Sequence, residues 1–144
     1  MRRLSLLIIA ATGVGLVAVG LRYLLADELM PYHAQVAQTT WADLQPGVRT
    51  IIRGMLTIIG AGFIACGAAF LWILPAAKAG ERWAPWALLC IGLLIGVPTL
   101  YVTLWLRQTS PSSDTPVGLT ALLLGVVVAS SLTNWLSLRK PVHR

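Results

Sequence analysis

This sequence predicts an all-α polytopic membrane protein, with four transmembrane helices in an antiparallel bundle and both termini cytoplasmic. Three observations predict it. Four apolar runs, residues 4–25, 48–74, 84–106 and 117–138, are each long enough to cross a hydrocarbon core about 30 Å thick, which takes about 20 helical residues. Hydrophobic residues make up 57% of the chain and mean hydropathy is +0.78, well outside the range of soluble domains. Basic residues are also unequally shared between the two sides that such runs would create. In hydrocarbon only helices and closed barrels satisfy their own backbone polar groups, and runs of this length are helical. Four spans leave no room for a soluble domain, so residues 1–144 are expected to form one transmembrane domain whose long outer loop is 26–47.

The first run follows Met1-Arg2-Arg3, which has the form of the basic start of a signal peptide. Its apolar stretch exceeds the roughly 7–15 residues of a signal core, and it predicts a retained first span. After the outer loop, Thr40-Trp41-Ala42-Asp43 has the form of a capping box, with Thr40 as the cap and Asp43 reaching back. Pro46 suits a first helical turn, where a missing N–H costs nothing. Pro75 is expected to close span two, and Lys78-Ala79-Gly80-Glu81-Arg82 to make a tight inner turn. Trp83 and Trp86 then open span three at headgroup depth. Pro98 is expected to kink span three by freeing the carbonyl near Leu94. Ser110-Pro111-Ser112-Ser113-Asp114-Thr115-Pro116 is a loop by composition.

Orientation follows from charge. One side carries Arg2, Arg3, Lys78, Arg82, Arg139, Lys140 and Arg144, and the other Arg22, Arg49, Arg53 and Arg107. Basic residues near span ends favour the cytoplasmic side, so the seven-to-four split places both termini there. Asp27, Glu28, Asp43 and Asp114 fall on the outer side. The formal charge of +6 fits membrane orientation and anionic headgroups better than nucleic acid.

Inside lipid, helices associate through small residues that allow close approach. At 100° per residue, Ala11, Gly15 and Ala18 share a face of span one, and Gly60, Gly67 and Ala68 a face of span two. Gly92 and Gly96 form a GxxxG in span three, and Ala121, Gly125 and Ala129 a stripe in span four. Three stripes continue into arginine: Arg22 in span one, Arg49 and Arg53 in span two, and Arg107 in span three. If the stripes face the bundle, these arginines converge at its outer mouth with Glu28, His33 and Asp43 of the first loop. One reading is a site for a phosphate or carboxylate headgroup. The other is interfacial arginines that snorkel and pair with the four outer acids.

Other chemistry is sparse. His33 could titrate or bind a metal, but one histidine near Asp27 and Glu28 is a weak metal signal, and a local hydrogen bond suits it better. Cys66 and Cys90 lie at lipid depth off the packing faces and read as unreactive thiols. With no cysteine in an outer loop and no CxxC, a quinone-linked disulfide oxidoreductase is disfavoured. His33 and His143 lie on opposite sides, which excludes bis-histidine haem. No acid lies deep in a span, as a proton-coupled multidrug exporter requires. Thr12, Thr57, Thr99, Thr103, Ser130 and Asn134 are expected to join helices by hydrogen bonds, Asn134 near a helix end. No cofactor or metal is implied.

Met30-Pro31-Tyr32-His33 followed by Trp41-Ala42-Asp43-Leu44, together with Gly80-Glu81-Arg82-Trp83-Ala84, resembles small bacterial four-span inner-membrane proteins of families with no assigned activity. The resemblance covers about two-thirds of the chain. It implies a bacterial inner-membrane setting and carries no catalytic residue. The expected function is therefore a non-enzymatic membrane protein, an accessory or assembly subunit or a homo-oligomer, with lipids and a membrane-protein partner as its contacts. The alternative is an outer-face binder or carrier component for anionic lipid or a small anion, using Arg22, Arg49, Arg53, Arg107 and His33. A third is a lipid-headgroup enzyme acting through His33 and an outer acid.

Overall fold

The computed structural model describes residues 2–139, without the side chains of Arg2, Ser137 and Arg139. Lys140, His143 and Arg144, used above for orientation and haem ligation, lie outside the described residues, as does Met1. The elements are α1 (Arg2–Leu24), α2 (Pro31–Ala37), a 3-10 turn (Trp41–Asp43), α3 (Pro46–Ala79), α4 (Ala84–Thr109) and α5 (Val117–Arg139). Of these, α1, α3, α4 and α5 are long and apolar enough to cross a membrane. The short helix α2 was not foreseen in the outer loop. Pro31 at its first position presets the backbone and forfeits no bond, but seven residues are too few to show a helical period.

The boundaries depart from expectation in two places. Pro75 does not close α3. The helix passes through it and ends at Ala79. Proline is tolerated in long apolar helices when neighbouring helices support the backbone, and Ala76, Ala77 and Ala79 are the best helix formers. Gly80 ends the helix at φ 91°, a left-handed conformation that glycine adopts without penalty. Its N–H and that of Glu81 both bond the Ala76 carbonyl at 3.0 Å. At 34 residues, α3 is about 51 Å long and outreaches the hydrocarbon core. The capping box is also incomplete. Thr40 and Asp43 meet through their side chains, and the Thr40 hydroxyl donates to the Asp43 carboxylate rather than accepting from a backbone N–H. The long helix instead starts at Pro46 after Gln45. Along α4, the helix stays unbroken through Pro98.

In the packing, α1 lies against α3 and α5, and α4 against α3 and α5. The tightest contact joins α1 to α3 through four glycines. Gly20 faces Gly60 and Gly13 faces Gly67, with Val17 and Ile64 filling the space between. Residue numbers rise along one helix as they fall along the other. Both glycine pairs are spaced seven apart, so they recur on the same side every two turns. This corrects the packing face of span one. Ala11, Gly15 and Ala18 are exposed, and nothing lies within 4 Å of a Cβ built on Gly15. In span two Gly60 and Gly67 face the contact as expected, while Ala68 is exposed. Span four is also corrected: Ala121, Gly125 and Ala129 are exposed. There α5 presents Leu124 and Val127 to Gly96 and Gly92 of α4.

The main core gathers Ile9, Phe70, Ile73, Ala77, Ala84, Leu88 and Val127. Large apolar side chains point outward around it, with Trp72 87% exposed, Leu94 76% and Ile58 75%. Such a surface suits lipid rather than water. The span hydroxyls do less joining than expected. Thr12, Thr57, Thr99 and Thr103 each bond a carbonyl three or four residues back in their own helix. Threonine does this readily in helices. One link between helices runs from the Ser5 hydroxyl of α1 to the Ser130 carbonyl of α5, 3.2 Å. Asn134 is fully buried within α5.

Candidate functional site

Four residues of α1 and α3 frame one mouth of the bundle: Arg22 near the end of α1, and Arg49, Arg53 and Leu56 in the first turns of α3. Above Leu56, the segment linking α1 to α2 folds down so that Ala26 and Met30 are buried against it. Tyr23, Tyr32 and Ile52 close the sides of this small core. The apolar anchor at Met30 fixes the position of α2 over the bundle.

The arginines go to different places. Arg53 reaches Asp27, bonding its carboxylate and its backbone carbonyl, each at 3.1 Å. The side chains are 57% and 93% exposed, so solvent screens the pair. Arg49 turns back over the 3-10 turn, donating to the Leu44 carbonyl at 2.8 Å and the Ala42 carbonyl at 2.6 Å. Arg107 lies in the last turn of α4, where a cation suits the helix dipole. It donates to the Ser113 carbonyl. Ser113 is buried and its hydroxyl bonds the Ser110 carbonyl and Thr115, so Arg107 secures a self-bonded α4–α5 loop. Arg22 and Glu28 are exposed and have no hydrogen-bond or ion-pair partner among the described residues. Asp43 pairs with Thr40.

His33 is half-buried and stacks obliquely on Tyr32, with ring centres 4.1 Å apart, and on Tyr23, 6.3 Å apart. Tyr23 in turn stacks on Phe63 of α3 at 6.0 Å, and its hydroxyl hydrogen-bonds that of Tyr32. Burial pushes the His33 imidazolium towards deprotonation, below its ordinary range. Burial, and then the bond to Tyr23, push the Tyr32 phenol far above its ordinary range. Both residues are therefore neutral at pH 7, and the cluster acts as packing with two hydroxyls rather than as a charged group.

Sequence reasoning missed Gln35. Its amide oxygen accepts from the Asp114 N–H at 2.7 Å, and its amide nitrogen donates to the Asp114 carboxylate at 3.1 Å. These two bonds tie α2 to the α4–α5 loop. A glutamine two residues after His33 on one turn of helix was the available signal, but its partner lies 79 positions away. Tyr23, Ser113 and Thr115 were missed as well. Among the described residues no three His, Cys, Asp or Glu side chains are placed to hold a metal ion, and Cys66 and Cys90 are free thiols.

No protein-family model, curated protein or solved structure matches the chain.

Proposed function

We propose that this chain is a non-enzymatic bacterial inner-membrane protein, an antiparallel four-helix bundle with both termini cytoplasmic. In this reading it serves as an accessory or assembly subunit or as a homo-oligomer. The observation that carries it is the pair of small-residue faces left open. Ala11, Gly15 and Ala18 of α1, and Ala121, Gly125 and Ala129 of α5, all face outward. Nothing lies within 4 Å of a Cβ built on Gly15 or Gly125. Faces of this kind let a helix from another chain approach closely in lipid. The outer polar groups support the same reading, because Arg49, Arg53 and Arg107 are engaged by the protein's own loops.

Gly125→Leu and Gly15→Leu test it. Both should leave the thermal midpoint in detergent within a degree or two of wild type. Either one should shift the protein from an assembly to a monomer, or remove a co-purifying membrane protein, in native mass spectrometry. A wild-type protein that is monomeric and alone in mild detergent and in nanodiscs would refute the assembly reading. One observation favours a second reading, an outer-face binder of anionic lipid or a small anion: Arg22 is exposed and unpaired among the described residues. It predicts that Arg22→Gln lowers retention of an anionic lipid without changing oligomeric state.

A further inference from the structure

The bundle is built from two closely joined pairs, α1 with α3 through their glycines and α4 with α5 through Gly92 and Gly96. The pairs meet in the main core, whose members from α1, α3 and α4 all lie toward the α3–α4 turn: Ile9, then Phe70, Ile73 and Ala77, then Ala84 and Leu88. The face of α3 that buries Phe70, Ile73 and Ala77 continues at helical spacing through Cys66 to Ile59. Burial fades along it, with Cys66 half-buried and Ile59 40% exposed. No residue of α5 from Val117 to Val126 is buried. Beyond Gly92 the buried residue of α4 is Thr103, whose hydroxyl bonds the Leu100 carbonyl of its own helix. The small core at the end capped by α2 contains no residue of α4 or α5. We propose that Gln35 and Asp114 latch the two pairs together at this capped end, and that releasing the latch lets the arms of α4 and α5 swing away from α1 and α3.

Three features make this contact a latch rather than a fixed joint. The first is its isolation. The two bonds between Gln35 and Asp114, 2.7 and 3.1 Å, are the polar link between the pairs at this end among the described residues. Arg49, Arg53 and Tyr23 bond within the α1–α3 side, and Arg107 and Ser113 within the α4–α5 side. Both latch residues are exposed, so water replaces either bond at little net cost. The second feature is that each half of the latch is firmly mounted. Met30 anchors α2 against Leu56, and Arg107 ties the α4–α5 loop to α4, so the loop moves with its helices. The third is a pivot in α4. Pro98 has no N–H to give the Leu94 carbonyl, so the helix lacks a bond there. Proline is a common site of sharp bending in helices. From Pro98 to Thr109 α4 runs about 17 Å, and an added bend of about 20° carries its tip about 6 Å.

Double electron–electron resonance in nanodiscs tests the proposal, on the full chain carrying Cys66→Ser and Cys90→Ser. Nitroxide labels on Thr50→Cys of α3 and Thr109→Cys of α4, both exposed positions, read the capped end. Labels on Leu4→Cys of α1 and Leu136→Cys of α5, also exposed, read the other end. Gln35→Ala should add a population in which the first distance is longer by about 6 Å, the displacement expected of the pivot. The second distance should not change. Asp114→Asn, which keeps both the backbone N–H and an acceptor oxygen, should stay closed. Pro98→Ala returns the missing N–H to α4, and added to Gln35→Ala it should shrink the long-distance population. A Gln35→Ala distribution identical to that of the parent would overturn the proposal. Lengthening of both distances together would overturn it too, since that reports general loosening rather than a latch at one end. A long-distance population unmoved by Pro98→Ala would overturn the pivot.

Discussion

Gly20 and Gly60 meet backbone to backbone. A Cβ on Gly20 would lie 2.6 Å from the Gly60 carbonyl oxygen, and one on Gly60 would lie 2.7 Å from that of Gly20. Seven residues along each helix the contact repeats, where a Cβ on Gly67 would lie 2.6 Å from the Gly13 carbonyl. The obstructing atoms are backbone, which cannot rotate away. Any side chain at Gly20, Gly60 or Gly67 must therefore push α1 and α3 apart along much of their length.

Gly60→Ala should accordingly be among the most damaging single-methyl additions in the protein. Overpacking of this kind costs about 1–3 kcal/mol, and separation of two backbones places it at the upper end. Gly15→Ala, with nothing within 4 Å, should stay within about 0.5 kcal/mol of wild type. Thermal unfolding in detergent, followed by circular dichroism, separates the two. Similar midpoints for both variants would show that the glycine contact contributes little.

The GxxxG of α4 behaves differently at its two positions. A Cβ on Gly96 would meet the Leu124 Cδ1 at 2.7 Å, the far end of a flexible side chain, whereas one on Gly92 would run into the γ-carbon of buried, β-branched Val127. Gly92→Ala should therefore lower the midpoint more than Gly96→Ala. Gly96→Ile, which exceeds what Leu124 can yield, should cost more than Ile95→Ala. If Gly92→Ala and Gly96→Ala prove equally mild, Val127 has room that this packing does not show.

The number and order of the spans were legible because the apolar runs carry them directly, whereas the end of α3 was not, because the helix passes through Pro75. The packing faces were legible only where a single stripe was available. In α3 and α4 the glycines that touch neighbours were identified, Gly60 and Gly67 against α1 and Gly92 and Gly96 against α5. In α1 two small-residue faces compete, Ala11-Gly15-Ala18 and Gly13-Gly20, and both permit close approach. The choice is made by the partner. Ala11 and Ala18 share the seven-residue spacing of Gly60 and Gly67, but only the glycines Gly13 and Gly20 let the two backbones touch, and nothing within α1 alone encodes that match. Helix α5 is apolar nearly all round, so its polarity could not direct Leu124 and Val127 inward. At the mouth formed by Arg22, Arg49, Arg53 and Leu56 the charged residues were legible by type, but the bonds of Arg49 and Arg107 go to backbone carbonyls that any residue carries.

Arg53 and Asp27 form an exposed pair, so Arg53→Gln should cost only about 0.2–1 kcal/mol, and less at high salt. The Gln35–Asp114 contact has two bonds, one of them to backbone, and joins segments far apart in sequence. Gln35→Ala should therefore loosen α2 and the α4–α5 loop together. Hydrogen exchange is the direct readout, with faster exchange expected in both segments of the single variant. Faster exchange in α2 alone would show that the contact does not couple them.

His33 makes the cap formed by α2 sensitive to acid, and the sign follows from its burial. Packing against Tyr32 and Tyr23 holds the folded-state pKa below the unfolded value of about 6.5. Above about 6.5 the imidazole is neutral in both states, and its packing contributes in full. As pH falls below that value, the unfolded chain takes up a proton that the folded cap resists, so stability declines until the folded-state pKa is passed. Wild-type thermal midpoints should therefore drop between pH 7.5 and 5.5. In His33→Gln, which retains polarity but does not titrate, the drop over the same interval should be smaller. Comparison with the variant cancels every other group common to both proteins. An equal drop in the two proteins would remove His33 as the source. A midpoint that rises on acidification in wild type alone would mean that the imidazolium is stabilised in the folded cap, reversing the role that burial assigns to it.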